Sequence, residues 1–582
     1  MDHRSSTAPV EPHDVTRRYI EVAGRAIHYR VLGDGPAIVT LHDSPRSSRL
    51  HLATMRALSR RFRVYALDTP GYGNSEPLDK AEPTIADFAA ALGSTITALG
   101  IEGAPIYATH TSAKIALEYA ADRASDGGPF EPKRTQAAHC GRIILDGLSI
   151  PANPTDPAFI AAYMRPFVLD DAGGYLAAEW TRMRDMLRWF PWFEQSPTTR
   201  MPVAQPADAW ISAYMIDFLS AGPSYASAYA AAMRYDPTPA LMRVSSPVLV
   251  AARADDVLYA SLDRVPGEDN PALTVERLPA DPVAWLAWLE NALAAAVVDA
   301  PVAPPLAGQP ASGAVYVDLP HGQMRVHRSR APGDRPLLIL SAPTTLQALA
   351  WQTALPERAT LVPELPGFGE SDPLSSPTLE GMADALAAML QQLGSDSVDL
   401  LATDLATPLG CMLAQRHPAV INVVVLDGWD LGTASVSQDR IAPAFPFDPG
   451  GGHIHRYWHM LRDGEANWPW FDGSASAARG LSPALAALHL HDALVGILKH
   501  PEHYGDAARA ACREFGAGDI AQMLQPVLLL KHATDPAYQG TDALASQLAR
   551  STVADRPSDL TAAAHTVSRF LNEAALVSET MA

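Results

Sequence analysis

The hydrophobic positions of this chain fall into short, unbroken runs separated by longer amphipathic stretches. Ala37–Leu41, Arg63–Leu67, Pro105–Thr109, Arg142–Leu145 and Pro247–Ala251 are mostly aliphatic or β-branched, without polar alternation. A strand with one wet face would alternate, so continuous runs predict strands of a parallel sheet covered on both faces. Thr84–Leu99 between them reads as a helix. The same script is then repeated. Pro336–Leu340, Thr360–Pro363, Val398–Thr403, Val423–Leu426 and Pro526–Leu530 are the strand-like runs, and Thr378–Leu393 is the helix. Each series opens on a hairpin, around Tyr19–Leu32 and Tyr316–Arg328. Strand–helix alternation written twice predicts an α/β fold with two tandem domains, each a mostly parallel sheet.

Two stretches lack strand signals. Residues 151–245 and 432–525 are rich in Trp and Met and read as helical insertions, placed to cap the ends of the strands. Asp299–Gly313 carries four prolines and two glycines, which cannot hold a helix. Residues 299–313 are therefore the expected linker between domains 1–298 and 314–582.

The repeat extends to motifs. Asp68-Thr69-Pro70-Gly71-Tyr72-Gly73-Asn74-Ser75 recurs as Glu364-Leu365-Pro366-Gly367-Phe368-Gly369-Glu370-Ser371. Ala108-Thr109-His110-Thr111-Ser112 is followed later by Ala402-Thr403-Asp404-Leu405-Ala406. Pro247 through Asp256 is matched by Pro526 through Asp535. The copies differ where chemistry would sit, at His110 and Asp404.

Composition narrows the choice of partner. The 582 residues are 48% hydrophobic and 19% charged, ordinary for a globular protein, with a formal net charge of −20. That charge opposes phosphate backbones and anionic lipid, so nucleic acid and membrane surfaces are poor partners and a small-molecule substrate is the better expectation. Three cysteines without a C-x-x-C pair speak against a disulfide framework or a zinc site and fit a reducing, cytoplasmic setting. Met1–Asp14 lacks the apolar core of a signal peptide. No apolar run is long enough for a membrane span. His453-x-His455 and His489-x-His491 have poor spacing for one helix face and no third ligand, so neither metal nor cofactor is expected.

These residues resemble the α/β-hydrolase superfamily over nearly all of both halves. The resemblance rests on the D-x-P-G-x-G-x-S loop, the strand–elbow–helix, the acid after the penultimate core strand and the helical cap. It implies that the elbow holds the nucleophile, at His110 in the first half and Asp404 in the second. An elbow aspartate is similar to the branch containing epoxide hydrolases and haloalkane dehalogenases. There a carboxylate attacks carbon and a histidine activates water to release the ester. The resemblance gives His565 as that base, Asp535 as the acid orienting it, and the Leu405 amide as an oxyanion donor. The oxyanion segment is Ser341-Ala342-Pro343-Thr344, a departure from the family's His-Gly-x-Pro; Leu405 stands where dehalogenases carry Trp.

The first half keeps His42-Asp43-Ser44-Pro45, nearer the family's oxyanion segment, and Asp256 in the acid position. It has no histidine between Val257 and Ala300, so the usual relay cannot operate. Three readings stay open: a degenerate structural domain, an active His110 oriented by Asp256, or a ligand site without reaction. Asp404 has its own alternative, as a helix cap.

The insertions repeat an aromatic cluster, with Arg184, Trp189 and Trp192 in one and Arg462, Trp468 and Trp470 in the other. The rings could wall an apolar pocket and the arginines clamp an anionic substrate, or both could be insertion core. Lys114 reads as a solvated helix residue and Ser112 as a small elbow neighbour. The expected activity is cofactor-independent hydrolysis of an ester, epoxide or carbon–halogen bond at Asp404. The alternatives are acid–base hydrolysis or lyase chemistry, with His110 a candidate, and a non-catalytic binding protein. The two halves could pack as an intramolecular pseudo-dimer.

Overall fold

The computed structural model describes residues 14–124, 141–201, 204–297, 303–331, 333, 335–428, 438–514, 520 and 522–581. Parts of the expected linker (299–302) and of the second insertion (432–437, 515–519 and 521) lie outside these, as does Cys140.

The chain divides into two compact units. One is Asp14–Val168 with Ala178–Pro310. The other is Ala311–Ala582 with the short segment Leu169–Ala177.

In the first unit the strands are β1 (Thr16–Val22), β2 (Arg25–Leu32), β3 (Ala37–Leu41), β4 (Arg63–Leu67), β5 (Ile106–Thr109), β6 (Ile143–Asp146), β7 (Val248–Arg253) and β8 (Leu273–Leu278). They form one sheet in the order β1-β2-β4-β3-β5-β6-β7-β8. β2 runs antiparallel to β1 and β4; the pairs from β4 through β8 are parallel.

The second unit repeats this order with β9 (Gly313–Leu319), β10 (Gly322–Arg328), β11 (Leu337–Leu340), β12 (Thr360–Pro363), β13 (Val398–Thr403), β14 (Ile421–Asp427), β15 (Val527–Lys531) and β16 (Ser551–Asp555). β3, β6, β11 and β13 are buried at every position, as continuous apolar runs require when helices cover both faces.

The runs read as strands are strands, and both helices begin where the sequence places them. Thr84 and Thr378 are their N-caps, accepting from the amides of Asp87 and Gly381. β8 and β16 went unread because each lies at a sheet edge with mostly exposed or half-exposed side chains, so neither leaves an apolar run.

The two Pro-Gly-x-Gly loops have a common cause. The Asp68 carboxylate accepts from the amides of Ser48 (2.6 Å) and Asn74 (3.0 Å) and meets His28 Nδ1 at 2.7 Å. It occupies the space a Cβ would need at Gly73, 2.1 Å away, where φ is +57°. Glu364 does the same beside Gly369 and binds the Glu370 amide and Arg325. The acid thus pins the loop to the strand ends beside it, and only glycine fits.

Helices fill the stretch between β6 and β7 (Pro157–Tyr163, Gly174–Met186, Asp208–Ala221, Ala226–Arg234 and Thr238–Arg243), and others lie between β14 and β15.

Candidate active site

Each elbow is a strained turn between a strand and a helix. His110 follows β5 at φ +47° and Asp404 follows β13 at φ +42°. With Ala23 they are the only non-glycine residues at positive φ among those described. Such a conformation costs on the order of 1–3 kcal/mol and pushes the side chain out above the sheet. A glycine faces each one. A Cβ at Gly147 would lie 2.5 Å from the His110 ring, and one at Gly428 would lie 2.5 Å from Asp404 Oδ1.

In the first unit, His110 Nε2 meets Asp256 Oδ2 at 2.8 Å. The other Asp256 oxygen accepts from the Leu258 amide at 2.7 Å, which fixes the carboxylate. The His110 side chain is 37% exposed, and among the described residues its Nδ1 has no partner. Burial alone would lower the imidazole's pKa; the hydrogen bond and charge of Asp256, with Asp43 and Asp146 nearby, outweigh it and raise the pKa to about 9.

The pair opens on a pocket of about 440 Å³ lined also by Asp43, His51, Tyr107, Asp146 and Trp285. Asp146 ends β6 and is fixed by Tyr107 Oη (2.8 Å) and Trp285 Nε1 (2.9 Å).

Asp43 places one carboxylate oxygen, Oδ1, in a buried position without a hydrogen-bond partner among the described residues. Both ring nitrogens of its neighbour His42 are engaged within the protein. Its Nδ1 donates to the Asp43 carbonyl (2.8 Å) and its Nε2 accepts from the Thr69 amide (3.0 Å), which ties this loop to the Pro-Gly-Tyr-Gly loop.

The second unit differs from the expected relay. Asp404 meets no histidine among the described residues. Arg479, from the insertion, donates to both its oxygens at 3.0 and 3.3 Å and reaches Asp535 with Nε at 3.3 Å. Asp535 also accepts from the amides of Gly480 (3.0 Å) and Ala537 (2.9 Å), so its oxygens are occupied.

His565 lies exposed on the helix Leu560–Met581 and makes no hydrogen bond to either acid among the described residues. A guanidinium stays protonated and cannot accept a proton from water, so Arg479 does not replace the missing base. Burial pushes the Asp404 carboxyl pKa upward against the pull of Arg479.

Other expectations change with the geometry. Ser341 closes its own turn, donating to the Thr344 carbonyl, and Ala342 adjoins a cis proline. Leu405 is buried in the turn after Asp404. Trp470 donates to the carbonyls of Arg440 and Ile441, and Trp468 lies under the Arg479 guanidinium. Arg462 donates to the Asp171 carbonyl within the same compact unit. Trp192 is buried with its Nε1 on the Tyr163 carbonyl, and Trp189 stacks under Arg200. Arg184 lies on the helix Gly174–Met186; neither it nor those two rings line the pocket.

The rings of both clusters are thus engaged by carbonyls and guanidinium groups of the protein. Lys114 is buried, not solvated: it donates to the carbonyls of Ala232 and Tyr235, and burial lowers its pKa to about 8. Ser112 Oγ donates to the His42 carbonyl.

Arg479, His51 and Asp146 carry the site electrostatics and were not legible. Arg479 is brought in from an element distant in sequence, and neither it nor His51 has a motif around it. Asp146-Gly147 and Asp427-Gly428 are the one repeated signal that could have marked the strand ends. Among the described residues no group of three or more His, Cys, Asp or Glu side chains could hold a metal ion. None of the described helices is long and apolar enough to cross a membrane.

A family model described as the alpha/beta hydrolase fold matches residues 346–469. No curated protein matches the chain. Similar solved structures include epoxide hydrolase VrEH1 from Vigna radiata, at 19% identity, covering 48% of this chain and 97% of that one, with a TM-score of 0.35. An epoxide hydrolase from an endophytic Streptomyces is 17% identical, covering 48% and 95%, with a TM-score of 0.37. A thermophilic esterase from Thermogutta terrifontis is 19% identical, covering 48% and 97%, with a TM-score of 0.35. The sheet order shared by both units, with the match inside the second, makes the fold of this chain that of two α/β-hydrolase domains.

Proposed function

We propose that the chain is a hydrolase of the α/β type whose reactive centre is the His110–Asp256 pair of the first unit. The observation that carries this is the 2.8 Å contact at a strained elbow, facing a pocket of about 440 Å³. Asp256 holds Nε2 and stabilises the imidazolium, as an orienting acid does in a triad. Nδ1 is left to take a proton from water as the water attacks an acyl carbon. Thr111 opens the following helix, whose first amides have no carbonyl partner within it, and in this reading the Thr111 N–H donates to the developing oxyanion. The second unit is then a structural domain, its elbow acid held by Arg479.

A second reading keeps Asp404 as a nucleophile, and the φ of +42° at that elbow favours it. It requires Arg479 to release the carboxylate and a base other than His565.

Turnover of an ester and epoxide panel by the purified chain and by His110→Ala, Asp256→Asn and Asp404→Asn distinguishes the two. The first reading expects His110→Ala to lower kcat about 10²–10⁴-fold, the usual contribution of a positioned general base, with Asp404→Asn unchanged. Activity lost only in Asp404→Asn would move the chemistry to the second unit.

A further inference from the structure

In each unit the strand after the elbow strand ends on a buried aspartate, one residue before the glycine that faces the elbow. These are Asp146 before Gly147 and Asp427 before Gly428. Each accepts from a tyrosine and a tryptophan. Asp146 Oδ2 takes Tyr107 Oη at 2.8 Å and Trp285 Nε1, from the helix Pro282–Ala296, at 2.9 Å. Asp427 takes Tyr538 Oη at 2.7 Å and Trp351 Nε1 at 3.0 Å. The two sites part at a third partner. Asp427 also accepts from the buried Arg556 Nε at 2.9 Å. Among the described residues, Asp146 is hydrogen-bonded by its two neutral donors alone.

That difference matches the elbows. An unpaired Asp427 would repel the Asp404 carboxylate, and Arg556 offsets it. Beside His110 an ionised acid is favourable, and Asp146 is fixed there. The His110 amide donates to the Asp146 carbonyl at 3.0 Å, and Asp146 lines the same pocket as the ring. Burial pushes the Asp146 carboxyl pKa up, and the Trp285 and Tyr107 donors hold the charged form against it. The other titratable groups around this pocket are Asp256 on His110 Nε2, Asp43 from the loop after β3, His51, Tyr107 from β5, and the bonded pair Arg253–Asp255 after β7. Arg46 acts on Asp43, and Arg253 acts through space on Asp146.

We propose that Asp146 is a positioning residue of the His110 site: a second acid, clamped by Tyr107 and Trp285, whose charge stabilises the imidazolium while Asp256 holds the ring by its hydrogen bond. For the reaction this rests on the His110–Asp256 reading, in which the imidazolium forms as His110 takes a proton from water. The electrostatic coupling does not depend on that reading.

The coupling is measured without turnover. The histidine Cε1–H signals of the full chain are followed by NMR between about pH 6 and 11, a range that brackets the raised titration of His110. The signal missing from His110→Ala is His110. Asp146→Asn is isosteric and still accepts from both donors. It should lower the His110 midpoint by about one half to one pH unit, less than loss of a charge in direct contact. Asp146→Thr, a second uncharged variant suited to a strand end, should move it in the same direction. Circular dichroism melts check that both fold. A lower melting temperature with the midpoint unmoved would make Asp146 merely structural and overturn the proposal, as would a midpoint that rises. Hydrolysis of p-nitrophenyl acetate by the same proteins tests the reaction. With a weaker base, kcat/KM should level off at lower pH and at a lower plateau. A midpoint that falls in a chain whose turnover ignores His110 would uphold the coupling and discard the reaction reading alone.

Discussion

His110 and Asp404 occupy the same turn and differ in what reaches them. His110 meets an acid and keeps one nitrogen for the pocket; Asp404 meets a guanidinium that occupies both oxygens. The first difference predicts a pH profile. With its pKa raised to about 9, His110 is mostly protonated at neutral pH, and the base form is the one that reacts. kcat/KM should rise with pH and level off above about 9, and Asp256→Asn should move that inflection downward. The linkage runs the other way for stability. A folded pKa above the unfolded value of 6.5 means the pair stabilises fully below 6.5 and loses that contribution as pH rises through about 9. The second difference predicts a stability effect without a catalytic one. Arg479→Leu leaves two buried carboxylates unpaired and should destabilise the second unit by about 3–5 kcal/mol, the usual cost of breaking a buried pair from one side. Amide hydrogen exchange along β13 and β15 reads this; unchanged protection there would mean that the clasp is not structural.

At the scale of elements, each elbow depends on the end of the next strand. Gly147 follows β6 at φ +70°, and Gly428 follows β14 at φ +99°. Alanine at either would be strained and would strike the elbow side chain. Each substitution should cost about 1–3 kcal/mol in urea unfolding. Gly147→Ala should also lower turnover by displacing His110 from Asp256, whereas Gly428→Ala should not. Equal turnover losses from both would mean that the reaction does not rest on the His110 elbow alone. The buried strands and capped helices were legible because apolar continuity and cap residues act locally. β8 and β16 were not, because an edge strand of mixed exposure carries no such pattern. The aromatic clusters were legible as clusters, with insertion core and pocket wall both open, but not their partners: which way Trp192 and Trp470 turn is set by carbonyls supplied from other elements.

For the whole molecule, the acid limit of stability has an identifiable source in each unit. Burial would raise the Glu364 pKa, yet Arg325 and His327 hold it down at about 2, and Asp68 is lowered beside His28. A depressed carboxylate stabilises above its unfolded pKa and loses that contribution as pH falls through the folded one. For Glu364 the window runs from 4.5 down to about 2. The difference in urea midpoint between the native chain and Glu364→Gln should therefore shrink steadily across that interval. A difference independent of pH there would show that the ionised carboxylate is not what holds the loop.

The sequence by itself determined the α/β class as a doubled script, most of the strands, the paired glycine loops and the positions of both elbows. These follow from local burial patterns and from turns that only glycine or a strained residue can make. The tertiary structure decided the chemistry. Asp404 and Asp535 could equally have received a histidine, and only the fold of the insertion brings Arg479 to them. His110 could have been a stranded polar group, and only the end of β7 brings Asp256 to 2.8 Å of it. Charge pairing between segments distant along the chain depends on distance in space, which hydrophobic periodicity does not encode.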